Sequence, residues 1–317
     1  MKDRTILAIK GLAIIGVAFH HVMNRRFDQQ ASDWLQVLVT LFDWCVLAFF
    51  CVSGYLHALS DSRKVRSVRE FTKLRFYRLL IPYIVLILLY SCIWQVVQAL
   101  HIPNIGAKIP EDFIGKIRNA LWPVDNEVAQ QLYYLPLLFA VSVLLALIQF
   151  CLRLSGLWAA SLLTFGAGLR YFPASFTGFS LGVFLWAICF YAAGYLLFHY
   201  RKERTAIRVI LLASTILLVL FSGYLGLVRC VPFWLLTEGS WLKLDQAPVL
   251  PALGDASGTI YIYHTPFIIQ PLAIAATYLH GPLAQCVGAI FAAFIAIGVC
   301  YLIFVLLKDT RAKVLLL

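Results

Sequence analysis

Nine apolar runs, each near the ~20 residues a helix needs to cross a bilayer, constrain this chain more than any other feature. They cover residues 6–23, 34–59, 79–100, 132–152, 157–171, 181–199, 209–228, 257–278 and 283–307. A tenth stretch, 230–242, is short and holds Pro232 and Glu238, which marks it as a broken or re-entrant segment. Runs of this length and number predict an all-α integral membrane protein, a polytopic bundle of about ten transmembrane helices.

Composition excludes the alternatives. Of 317 residues, 62% are hydrophobic and 13% charged, against about 25% charged in soluble domains. No soluble domain stands out, so residues 1–317 read as one transmembrane domain. The net charge of +11 would suggest nucleic acid in a soluble chain, but here the basic residues lie between apolar runs, where they set membrane orientation. Nucleic acid is therefore not an expected partner, and the lipid bilayer is. Cysteines 45, 51, 92, 151, 189, 230, 286 and 300 mostly fall inside the runs without a CxxC, so free thiols are expected and no metal site.

Orientation follows from the linker 61–78, which carries Arg63, Lys64, Arg66, Arg69, Lys73, Arg75 and Arg78 and should be cytoplasmic. A ten-span threading puts 19 of the 26 basic residues inside and both termini in the cytoplasm. The longest outer loop, 101–131, is long enough for a small cap.

Ionisable side chains within a span cost at least about 2.5 kcal/mol at its centre, so each is a functional candidate. In the first run Lys10 and His21 are eleven residues apart, which on a helix returns to within about 20° of the same face, about 16 Å further along. His20 projects about 100° away from His21. Lys10 could instead snorkel to the interface and the histidines bond to backbone. Imidazole can take a proton from a hydroxyl near neutrality, which makes His21 a candidate general base. Asp43 could orient a histidine or pair with Arg25 or Arg26. Ser257, Tyr261 and His264 fall within about 60° on a helical wheel, forming a second polar stripe that faces a cavity or ties helices together. Arg75 and Arg78, followed by Pro82, are spaced to clamp phosphate or to anchor the chain at the inner face.

These pieces, in this order, resemble the acyltransferase 3 family of multi-spanning membrane O-acyltransferases. The resemblance rests on Lys10 followed after ten residues by His21, and on Phe49-Phe50-Cys51-Val52-Ser53-Gly54-Tyr55. It rests also on Arg75, Arg78 and Pro82, and on Ser257, Tyr261 and His264 before Pro266. Lys10 stands where the family more often has Arg, which keeps the charge without the bidentate fork. Tyr133-Tyr134 occupies the place of a family tryptophan.

The resemblance implies an O-acetyltransferase of the plasma membrane, a bacterial inner membrane. It would move an acyl group from cytoplasmic acetyl-CoA, a co-substrate and not a resident cofactor, to a hydroxyl of a cell-surface carbohydrate or its precursor. His21 would be catalytic, Lys10, Arg75 and Arg78 would hold the CoA phosphates, and Ser53, Ser257, Tyr261 and His264 would contact the oxyanion or the acceptor. The alternative is a transporter or flippase without chemistry, which broken apolar segments and midplane polar groups also fit.

Overall fold

The computed structural model describes residues 3–27, 40–63, 67–100, 109–121, 128–170, 181–222, 224–239, 242–265, 268–269, 271–272 and 282–310. Among these, 88% are helical and no strand occurs. Among the described residues, six helices are long and apolar enough to cross a membrane: Arg4–Val22, Trp44–Asp61, Val68–Ala99, Gln131–Ala167, Leu181–Tyr200 and Ile290–Leu307. The protein is a multi-pass membrane protein. The seven described cysteines that could have formed bridges are free thiols, as expected.

The chain divides into two compact units, residues 1–65 with 189–317, and residues 66–188. At the centre of the first is α1 (Arg4–Phe27). Its buried positions Ile6, Ile9, Ala13, Ile14, Val17, Ala18 and Val22 run most of the way round the helix, the pattern of a helix with neighbours on several sides. Those neighbours are α2 (Trp44–Arg63), α9 (Tyr224–Glu238), α10 (Val249–Asp255), α11 (Ser257–Tyr263) and α12 (Pro282–Leu307).

Two crossings bring backbones together, because lipid offers little hydrophobic drive and small residues let helices approach. A Cβ on Gly11 would strike the Leu250 carbonyl, and one on Gly254 the Leu7 carbonyl, so α1 and α10 run antiparallel in direct contact. Likewise Gly54 of α2 lies on the Tyr191 carbonyl and Gly194 on that of Cys51, both on α7 (Leu181–Tyr200) or its partner α2.

Two sequence-based boundaries shift. The 34–59 run is interrupted by a turn at 41–43, after which α2 begins at Trp44, and Asp43 occupies that turn, where a carboxylate gains from the helix dipole; residues 34–39 lie outside the described residues. The 209–228 run divides into α8 (Arg204–Ser222) and α9, on either side of Gly223 in the sequence, and the supposed broken segment 230–242 is largely helical through Pro232.

In the second unit, Ser67 caps α3 (Val68–Arg75) by accepting from Glu70 N at 3.2 Å. A π-helical turn, Phe76–Leu80, links it to α4 (Ile81–Ala99). Of the 101–131 segment, residues 109–121 and 128–131 are described. Its helix α5 (Phe113–Leu121) and flanks lie along the side of α4. Gln98 Nε2 donates to Ile109 O, Lys116 Nζ to Gln95 Oε1, Gln131 Nε2 to the Tyr90 hydroxyl and Tyr83 to Ala120 O, all at 2.8–3.1 Å. Those anchors span fifteen residues of α4, about 22 Å.

The last helix of this unit, α6 (Tyr134–Arg170), has 37 residues, about 55 Å if straight against a hydrocarbon core of about 30 Å. The chain breaks at Arg153, with φ 53° and ψ −148°, where the apolar runs 132–152 and 157–171 meet.

Candidate active site

Several polar groups of the first unit, His264, His21, His20, Asp43 and Arg229, lie in a chain of neighbours. α1 carries His20 and His21, both half-buried, on adjoining faces with ring centroids 5.8 Å apart. His21 turns towards α11, where its ring lies 5.1 Å from that of His264 at an interplanar angle of 55°. His20 turns towards Asp43, with Nδ1 and Oδ1 3.8 Å apart. The 100° step between successive helical residues thus sends the two imidazoles to different partners.

His264 is wholly buried, at the point where α11 ends. Thr265 precedes a proline, which disfavours continued helix. Its Nδ1 lies 2.7 Å from Ile260 O. A carbonyl can only accept, so Nδ1 carries the proton, and in the neutral ring Nε2 carries the lone pair. Tyr261, also buried, stands between this ring and α2, with centroids 6.1 Å from His264 and 6.4 Å from Phe49. Ser257 begins the same helix, but its hydroxyl donates to Gly254 O at 2.8 Å.

The FF-x-x-SGY element divides its work along α2. Phe49 faces Tyr261. Ser53 is half-buried one turn further on, on the same face as Phe49. Gly54 makes the α7 crossing. Tyr55 packs on Phe198 at 5.2 Å and lines a cavity of about 350 Å³ with Asp3, Thr5, Arg201 and Glu238.

Asp43 has a partner that reading by spacing missed. Arg229 of α9, fully buried, lies 3.8 Å from Asp43 Oδ2. The side chains of Arg25 and Arg26 lie outside the described residues. A buried guanidinium beside a buried carboxylate replaces two isolated charges that the interior could not hold. The signal was present: Arg229 sits between Leu227-Val228 and Cys230-Val231, an ionisable residue bounded by apolar ones.

A second missed group ties α2 to α7. His57 Nε2 lies 3.3 Å from Asp61 Oδ2, and the Tyr195 hydroxyl donates to the same oxygen at 3.0 Å. Because the carboxylate accepts from Nε2–H, His57 Nδ1 is left to accept from Tyr191 OH at 3.1 Å.

The remaining candidates are dispersed. Lys10 is half-buried on α1 beside the Gly11 crossing, eleven residues below His21. Arg75 and Arg78 belong to the second unit. Arg75 stacks its guanidinium on the Phe71 ring at 5.1 Å, and Arg78 is exposed within the π-helical turn, a feature frequent at functional sites. Among the described residues no group of His, Cys, Asp and Glu is placed to hold a metal ion.

A family model of an acyltransferase domain matches residues 5–305. Comparison with curated proteins and with solved structures gave no match.

Proposed function

Because the chain belongs to the acyltransferase 3 family, we propose that it is an O-acetyltransferase of the plasma membrane, with acetyl-CoA as donor and a hydroxyl of a cell-surface carbohydrate or its precursor as acceptor. The observation that carries this reading is the half-buried His21, whose ring lies 5.1 Å from that of His264 within the first unit. In this reading the chain crosses the membrane ten times with both termini in the cytoplasm.

His21 is the general base. It accepts the proton of the acceptor hydroxyl while that oxygen attacks the thioester carbonyl. The C–O bond forms, the C–S bond breaks as the tetrahedral intermediate collapses, and the proton passes from the imidazolium to the departing CoA sulfur. Proton removal of this kind gives typically about 10²–10⁴-fold, and positioning and oxyanion stabilisation supply the remainder.

Tyr261 is the favoured oxyanion donor, since its ring lies beside His264. Ser53 is the next. Ser257 is disfavoured because its proton already goes to Gly254 O. Lys10, about 16 Å along α1 from His21, and, in the second unit, Arg75 and Arg78 are each proposed to bind donor phosphates by charge.

The test compares ester-linked acetyl groups on surface glycans of cells expressing the wild type, His21→Ala or no copy. Acetylation that depends on the chain and vanishes with His21→Ala, at equal membrane levels, supports the reading. Acetylation unchanged by His21→Ala removes His21 from the role.

A further inference from the structure

We propose that His264 is a positioning residue that accepts a hydrogen bond from His21 and so fixes which nitrogen of His21 is the base. The inference rests on the acyltransferase reading above and assigns His264 a role other than oxyanion contact.

With Nδ1–H committed to Ile260 O at 2.7 Å, a neutral His264 has no second N–H to offer an oxyanion. What it presents is the Nε2 lone pair. The ring next to it is His21, 5.1 Å away centroid to centroid and tilted by 55°; imidazole nitrogens lie about 1 Å out from their centroid, so a rotation of the His21 ring that aims an N–H at Nε2 brings the two nitrogens within hydrogen-bonding reach. His264 is wholly buried, whereas His21 is half-buried. The reachable ring therefore does the chemistry and the enclosed one supports it.

With His21 so turned, a polar chain forms in which each group has one orientation: the Ile260 carbonyl accepts from His264 Nδ1–H, His264 Nε2 accepts from one N–H of His21, and the other nitrogen of His21 is a lone pair. This does with a neutral imidazole what a carboxylate does behind the histidine of a hydrolase triad, where the wrong tautomer costs about 10⁴-fold. The neutral partner suits the location, because a carboxylate there would be a further buried charge. When His21 takes the hydroxyl proton, its positive charge is shared through the hydrogen bond to His264.

Two amide substitutions separate positioning from structural support. Gln places its amide near Nε2 and can accept from His21. Asn places its amide near Nδ1 and can replace only the bond to Ile260 O. Membrane vesicles carrying the full chain are given radiolabelled acetyl-CoA, and label entering the glycan fraction gives kcat and KM. Positioning requires that His264→Asn lose at least about 100-fold in kcat, with KM for acetyl-CoA little changed, and that His264→Gln recover a substantial part. Asn retaining activity, or Gln losing as much as Asn, overturns the proposal. If His264→Asn does not accumulate as folded protein, His264→Gln decides alone: retained kcat upholds the proposal and lost kcat overturns it. Wild-type vesicles that transfer no label sink the acyltransferase reading itself, whereas an active wild type beside an equally active His264→Asn sinks only this inference.

Discussion

Replacing Gly54 by Ala should force α2 and α7 apart. A Cβ there would land on the Tyr191 carbonyl, while Gly194 meets the Cys51 carbonyl at the same crossing. Neither obstacle is a side chain that can rotate away. Restoring a C···O distance of about 3.3 Å requires the axes to part by more than about 1 Å. Overpacking of this kind costs about 1–3 kcal/mol. The separation also breaks the Tyr191–His57 and Tyr195–Asp61 hydrogen bonds, now 3.1 and 3.0 Å, at about 1 kcal/mol each. Better helix propensity returns about 0.5–1 kcal/mol. The net loss of about 2–4 kcal/mol corresponds to roughly 10²-fold in the folded-to-unfolded ratio.

Thermal unfolding of the purified protein in detergent measures this against two controls. Gly166 and Gly298 are helical, and a Cβ on either meets nothing within 4 Å, so alanine there should be neutral or slightly stabilising. Gly54→Ala unfolding at the same temperature as Gly298→Ala would refute the backbone-contact argument.

Other perturbations probe the polar clusters. His20→Ala should reduce transfer far less than His21→Ala in the vesicle assay, because its ring turns to Asp43 and not to His264. Removing either partner of the Asp43–Arg229 pair should destabilise by about 3–5 kcal/mol; the double variant Asp43→Asn with Arg229→Gln should recover much of that in the same unfolding assay. Substituting Arg75 and Arg78 together by Gln should abolish the thermal stabilisation that acetyl-CoA gives the wild type and leave the unliganded unfolding temperature nearly unchanged. Lys116→Met should weaken the packing of α5 on α4 by about 1–3 kcal/mol, since it strands Gln95 Oε1 and Glu111 O.

Sequence made the helical class and the site's first member legible because both follow from periodicity. Run length gives membrane-spanning helices, and the eleven-residue spacing of Lys10 and His21 is a property of one straight helix. The Ser257, Tyr261 and His264 stripe was legible for the same reason, and Arg153 marked the break in α6 because it interrupts an apolar run.

What escaped were contacts between elements distant in the chain. Nothing local tells Asp43 that its partner is Arg229, 186 positions on, or that His57 will meet Tyr191. For Ser257 a helical wheel shows direction and not the Gly254 carbonyl one turn back, to which its hydroxyl donates. Length alone showed that the 101–131 segment could form a small cap, and not that its described residues would meet α4 through pairs such as Lys116 with Gln95.

The central claim, that a membrane-embedded imidazole deprotonates an acceptor hydroxyl for attack on acetyl-CoA, is tested most directly with purified protein reconstituted in lipid, extracted glycan as acceptor, and free CoA thiol measured alongside acetyl ester. The account predicts thiol and ester appearing in equal amounts with wild-type protein and both falling at least about 100-fold with His21→Ala. Thiol and ester formed at wild-type rates by a folded His21→Ala protein would contradict it.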